Sequence, residues 1–291
     1  MRGRICSALL FCAGSILGGL GWAGDAALPA RATPPFPRFL RPLPGEAVVP
    51  PSPTLGRSLL LTFDDGPDLV GTSRILDELT RRKVKAVFFV NGHHIVRDRP
   101  EDLARRDLLR QLATHGHLVG NHTMNHRNLC QERAAMAAEI DGAAEIIAYA
   151  TAVRPLLFRS PYGARCRDLD RALAEREVLQ IGWNLDPQEW RGESEDAIVR
   201  YTTGALRRTT GPLILLLHDK NLSAARAVSR ILDFVDAENA RIRREGGKPI
   251  ALLDYRVFLP APPPLPETGL EPVAESTLGA LAVLAGLAAI R

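Results

Sequence analysis

No extended block of lysine and arginine and no weave of basic with aromatic residues runs through this chain, and its formal net charge is only +4 over 291 residues. A nucleic-acid partner is therefore not expected. No segment repeats at a fixed period, which sets aside stacked-repeat architectures. Cysteines number four, and only Cys130 and Cys166 lie beyond the first 23 residues, so at most one disulfide can form once those residues are removed. Apolar residues are plentiful instead. At 46% they suffice for one large core or two modest ones, and nothing marks the chain as disordered throughout.

The first 23 residues have the layout of an export signal, with Arg2 and Arg4 ahead of the apolar stretch Ile5 to Leu20 and the small residues Gly21 and Ala23 at the expected cleavage point. The stretch is short and glycine-rich for a membrane span. Phe11 is too large to precede a lipidated Cys12. Residues 24–56 are too rich in proline for helix or sheet interior and are expected to form a tether or wrapping arm. A folded domain is expected over residues 57–258.

Within that domain apolar runs alternate with helical patterns. The strand candidates are Ser58 to Phe63, Lys85 to Val90, Leu118 to Gly120, and runs ending at Arg159, Asn184, His218 and Asp254, with helical stretches between them. Such alternation predicts an α/β domain: a distorted (β/α) barrel of about seven parallel strands covered by helices, forming a single catalytic unit. In such folds the site lies at the carboxyl ends of the strands. Asp64, Asp65, His122, His126, Arg159, Asp186 and His218 all fall there.

LTFDDGP, residues 61–67, places two carboxylates side by side. Asp-Gly-Pro is good turn chemistry, so a turn and a site stand equally open on this stretch alone. Adjacent strand residues point to opposite faces, which would let the two aspartates do different work. His122 and His126 are four apart in HTMNH, a spacing that on a helical turn aims both imidazoles the same way. Adding Asp65 gives three protein ligands with open positions, the build of a catalytic zinc site, and leaves Asp64 free to accept a proton.

The succession TFDDGP, HTMNH, RSPYG (Arg159 to Gly163), DPQEW (Asp186 to Trp190) and LLH (Leu216 to His218) resembles the five motifs of the NodB-homology polysaccharide deacetylases, carbohydrate esterase family 4, over residues 57–258. The resemblance implies removal of acetyl groups, N-acetyl foremost, from an envelope or extracellular polysaccharide, using one divalent metal. Zinc is the expected ion, with cobalt or nickel as alternatives. It further implies Asp64 as general base, Asp65, His122 and His126 as metal ligands, His218 as general acid held charged by Asp186, and Arg159 as the partner of Asp64. The backbone N–H of Tyr162 would hold the oxyanion, and Trp190 with Leu216 would enclose the acetyl methyl. One departure stands out: Glu189 occupies a place where the family usually has aspartate, and its extra methylene is expected to shift the Trp190 loop and substrate fit.

Three rival readings exist. A mononuclear iron oxygenase also uses two histidines and a carboxylate, but usually on an antiparallel barrel. A carbohydrate-binding module without turnover would need neither Asp64 nor His218. A related amidase acting on a small non-sugar compound fits an exported enzyme less well than a polymer deacetylase does.

Cys130 and Cys166 each closely follow a rim motif and are expected to pair in an oxidising compartment; two separate buried thiols are the alternative. Residues 259–277 form a second proline-rich linker, in which Leu265 to Gly269, LPETG, resembles a sortase sorting signal. Residues 278–291 are apolar up to a final arginine. A sortase, another C-terminal sorting enzyme, or an accidental motif would each account for this tail. The protein is expected at the cell surface, in the envelope or outside the cell.

Overall fold

The computed structural model describes residues 56–258. The expected export signal, the proline-rich arm, the LPETG linker and the apolar C-terminal stretch lie outside the described residues.

Among the described residues seven strands and six α-helices alternate: β1 (Ser58–Gly66), α1 (Gly71–Arg82), β2 (Ala86–Val90), α2 (Pro100–Thr114), β3 (Leu118–Asn121), α3 (Met136–Thr151), β4 (Leu157–Phe158), α4 (Arg167–Glu175), β5 (Leu179–Gln180), α5 (Glu195–Arg208), β6 (Pro212–His218), α6 (Leu222–Arg244) and β7 (Ala251–Leu252). Every pairing is parallel and the order is β5-β4-β3-β2-β1-β6, with β7 beside the start of β1. Leu185, shortly after β5, bridges to Leu215 in β6. The segment following one edge strand thus reaches the other edge and curls the sheet toward a barrel. β4, β5 and β7 are shorter than the apolar runs that contain them.

Alternation along the strands separates two cores. Leu59, Leu61 and Phe63 of β1 pack outward with Phe88, Leu215 and Leu217 against the helices, and the rings of Phe63 and Phe88 stack at 4.9 Å. Leu60, Val87, Phe89, Leu118, Leu157, Leu179 and Ile214 fill the interior. Toward the carboxyl ends the inward positions turn polar: Thr62 and Asp64 continue the parity of Leu60, and His218 that of Ile214 and Leu216. Gly120 sits where a Cβ would lie 2.6 Å from the Phe89 ring, so only glycine lets that ring lie across the interior.

The helices are set by simple chemistry. α1 buries Ile75, Leu76 and Leu79 on one stripe and carries Arg81 and Arg82 in its last turn, at the negative end of its dipole. In α5, Ser194 caps the N-terminus by accepting from Ala197 N. Asn221 caps α6 in the same way, accepting from Ser223 N and Ala224 N. Among the described residues no helix is long and apolar enough to cross a membrane.

Candidate active site and metal centre

At the carboxyl end of β1 the register with β2 slips between Asp64 and Gly66, leaving Asp65 as a bulged residue with φ 73°. The two aspartates therefore do not take the opposite faces that plain alternation predicts. Asp64 keeps the inward parity, while the bulge turns Asp65 onto the same rim. Gly66 completes the bend, because a Cβ there would collide with the carboxylate of Asp219.

His122 and His126 are not on a helical turn. The segment after β3 is an irregular loop in which Thr123 and His126 adopt left-handed backbone, φ 68° and 57°. The rings still converge, with centroids 5.0 Å apart. Asp65 Oδ1 lies 3.2 Å from His126 Nε2 and 3.5 Å from His122 Nε2, and one ligand atom from each of the three residues falls within 4.8 Å of the others. His122 Nδ1 is 2.7 Å from the carbonyl oxygen of Arg159. A carbonyl only accepts, so Nδ1 carries the hydrogen and Nε2 keeps its lone pair toward the cluster, as a metal ligand requires. Asp65 Oδ1 is buried and receives no hydrogen bond from the described residues. An orphaned anionic oxygen between two imidazole nitrogens is the donor set a divalent cation satisfies, so the residues present fit a metal.

The electrostatics agree. Burial opposes charge on Asp65, yet His122, Lys220 and His126 together bring its pKa down to about 2. His126 is shifted below its ordinary value, by burial first, against the pull of Asp65. Lys220 Nζ stands 2.8 Å from Asp65 Oδ2.

Asp64 is held from behind. Arg159 Nη1 donates to Asp64 Oδ1 at 2.8 Å and to Thr62 Oγ1 at 2.7 Å, and Thr62 donates onward to the Leu215 carbonyl. The fully buried guanidinium also donates to the carbonyls of Ile181 and Gly182 and lies over the Phe89 ring at 4.3 Å. Asp64 Oδ2 is 3.8 Å from His122 Nε2. The carboxylate is thus fixed on one side and presents its other oxygen to the cluster. Thr62 was not among the expected site residues; its signal was inward parity two positions before Asp64.

His218 at the end of β6 is paired with Asp64 across the sheet. Its carboxylate partner is Glu189, whose Oε1 accepts from His218 N at 2.6 Å and from Nδ1 at 2.8 Å. The expected contact with Asp186 is not formed: Asp186 Oδ1 instead accepts from Gln188 N within its own loop. The longer glutamate side chain, starting three residues later on a turn that passes through left-handed Gln188, is the one that reaches the ring. Burial works against a charged His218, but the Glu189 hydrogen bond and charge outweigh it and raise its pKa.

Tyr162 has left-handed backbone, φ 61°, and its hydroxyl lies 3.2 Å from His126 Nδ1. Its ring is exposed. Leu216 is buried beside Thr62 on the interior face, whereas Trp190 is half exposed with the Arg191 guanidinium over its ring. Cys130 and Cys166 form a disulfide, Cα to Cα 5.8 Å, tying the loop of His126 to the loop of Tyr162.

The profile of the family described as polysaccharide deacetylase matches residues 52–180. Over 165 residues the chain is 36% identical to a chitooligosaccharide deacetylase of Bradyrhizobium sp. (strain ANU 289), covering 56% of this chain and 71% of that one. Over 145 residues it is 32% identical to a peptidoglycan-N-acetylglucosamine deacetylase of Bacillus cereus, covering 50% of each. Among solved structures, it is similar to a family 4 carbohydrate esterase from Streptomyces lividans in complex with acetate, with a TM-score of 0.55, 29% identity, and coverage of 62% of this chain and 89% of that one.

Proposed function

Because the chain belongs to the polysaccharide deacetylase family, we propose that it hydrolyses N-acetyl groups of an envelope or extracellular polysaccharide, with Asp65, His122 and His126 holding one zinc ion. Two imidazoles and a carboxylate suit zinc, with cobalt or nickel as substitutes. The bound cation supplies Lewis-acid chemistry, lowering the pKa of water and polarising the acetyl carbonyl. Asp64, fixed by Arg159, takes the proton from the attacking water. Protonated His218, fixed by Glu189, gives a proton to the departing nitrogen as the carbon–nitrogen bond breaks, so that acetate and an amine result. The Tyr162 backbone N–H donates to the developing oxyanion. Trp190 and Leu216 flank the acetyl methyl.

The observation that carries this reading is the placement of a fixed base, a charged-state-favouring histidine and a three-ligand cluster on one rim. Export and surface attachment are part of the proposal, supported by the signal-like first 23 residues and the LPETG tail. Acetate release should be measured from chitooligosaccharides, peptidoglycan, poly-N-acetylglucosamine and acetylated xylan, with and without chelator. Release from at least one N-acetylated polymer, lost on chelation, is expected; no release from any of them would overturn the reading.

A further inference from the structure

Lys220 belongs to none of the five rim motifs, yet its ammonium is the only cation that the described residues bring onto a carboxylate of the candidate metal cluster. Its backbone is pinned. Asp219 N donates to the Asp64 carbonyl and Asn221 N to the His218 carbonyl, while the Asn221 side chain caps α6 and donates to the Glu189 carbonyl at 3.0 Å. The residue between them has a fixed Cα, and its side chain, 59% exposed, leans over the rim rather than packing into the core. The turn therefore stations a positive charge above Asp65.

The Asp65 carboxylate is shared as a result. Oδ1 faces His126 Nε2 and His122 Nε2 with no hydrogen-bond donor, and Oδ2 faces Lys220 Nζ at 2.8 Å. We propose that Lys220 is a tuning residue of the metal centre, competing for Asp65 and holding the affinity for the divalent ion below what the three ligands alone would give. The proposal rests on the metal-centre reading above. Two physical effects act in the same direction. With Oδ2 engaged, Asp65 offers the ion a single oxygen, and a unit positive charge one carboxylate away repels a divalent cation. The Lys220 side chain itself is 59% exposed, so solvent screens much of this repulsion, and what remains is worth on the order of tenfold in affinity.

The opposite role is also physically sensible: an ammonium that merely orients Asp65 would strengthen metal binding. The two roles differ in sign, so one measurement separates them. Full-length protein stripped with chelator is titrated with zinc ions against a chromophoric chelator, for the wild type, Lys220→Met and Lys220→Arg. Lys220→Met should bind zinc on the order of tenfold more tightly, and Lys220→Arg, which keeps the charge, should stay close to the wild type. A Lys220→Met protein that binds zinc equally or more weakly overturns the proposal while leaving the metal centre intact. A wild type that takes up no zinc overturns the metal-centre reading and this proposal together.

Discussion

Glu189 accepts two hydrogen bonds from His218, one from the backbone N–H and one from Nδ1, at 2.6 and 2.8 Å. The pair fixes the ring, leaving Nε2 for the reaction, and the buried carboxylate favours the charged imidazole strongly enough to overcome burial. A group that works in its protonated form loses activity as pH rises through its pKa. Glu189→Gln keeps a hydrogen-bond acceptor but removes the charge, so the alkaline limb of the kcat/KM profile should move to lower pH by roughly one unit. Glu189→Asp keeps the charge on a shorter arm and should lie between. An unmoved alkaline limb in Glu189→Gln would show that another group sets it.

Asp64 and Arg159 make separable predictions. Asp64→Asn removes the base but none of the three cluster ligands, so turnover should fall by about 10²–10⁴ while zinc uptake is retained. Arg159→Ala leaves the buried Asp64 charge without its partner and opens a gap over Phe89, which should lower stability by about 3–5 kcal/mol in denaturant unfolding. Normal acetate release by Asp64→Asn would remove Asp64 from the chemistry.

Removing the ion or its ligands should act on activity before the fold. Chelation should abolish acetate release and added zinc restore it, with the far-UV circular dichroism unchanged. Asp65→Ala and His126→Ala should each weaken zinc binding by more than the roughly 10–100-fold typical of losing an outer-shell partner. Unaltered zinc affinity in both would mean that the cluster is not the metal centre.

The parts of this site that the sequence made legible are those that depend on strand parity and on the rule that parallel strands end at the site. Asp64, Arg159 and His218 were placed this way, and the structure brings them to one rim. Contacts that depend on loop backbone were not legible. The rings of His122 and His126 converge through left-handed residues rather than a helical turn, and Asp65 reaches them through a bulge. Asp186 and Glu189 lie on one loop, three residues apart, and residue type alone gave no reason to choose the one that meets His218. Left-handed Gln188 decides the matter, and glutamine carries no propensity that announces it. Lys220 follows His218 by two positions in an ordinary helix-entry turn, and only the fold shows that its ammonium meets Asp65.

The disulfide joins the two loops that carry His126 and Tyr162, whose side chains themselves meet at 3.2 Å. Its sequence separation of 36 residues sets the entropy that the cross-link removes from the unfolded chain, about 3–4 kcal/mol by loop closure. The bond also limits how far the left-handed His126 turn and the Tyr162 turn can drift apart when either opens. The double variant Cys130→Ser/Cys166→Ser should therefore lose about 3 kcal/mol in denaturant unfolding, and its zinc affinity should fall as well, because His126 is no longer braced. Thiol titration of the denatured, unreduced protein lacking its first 23 residues should find no free thiol. Unchanged stability in the double variant would show that the remaining packing of Leu129, Met136 and Leu169 beneath these loops holds them without the bond, whereas a stability loss with zinc affinity intact would confine the bond's role to the fold.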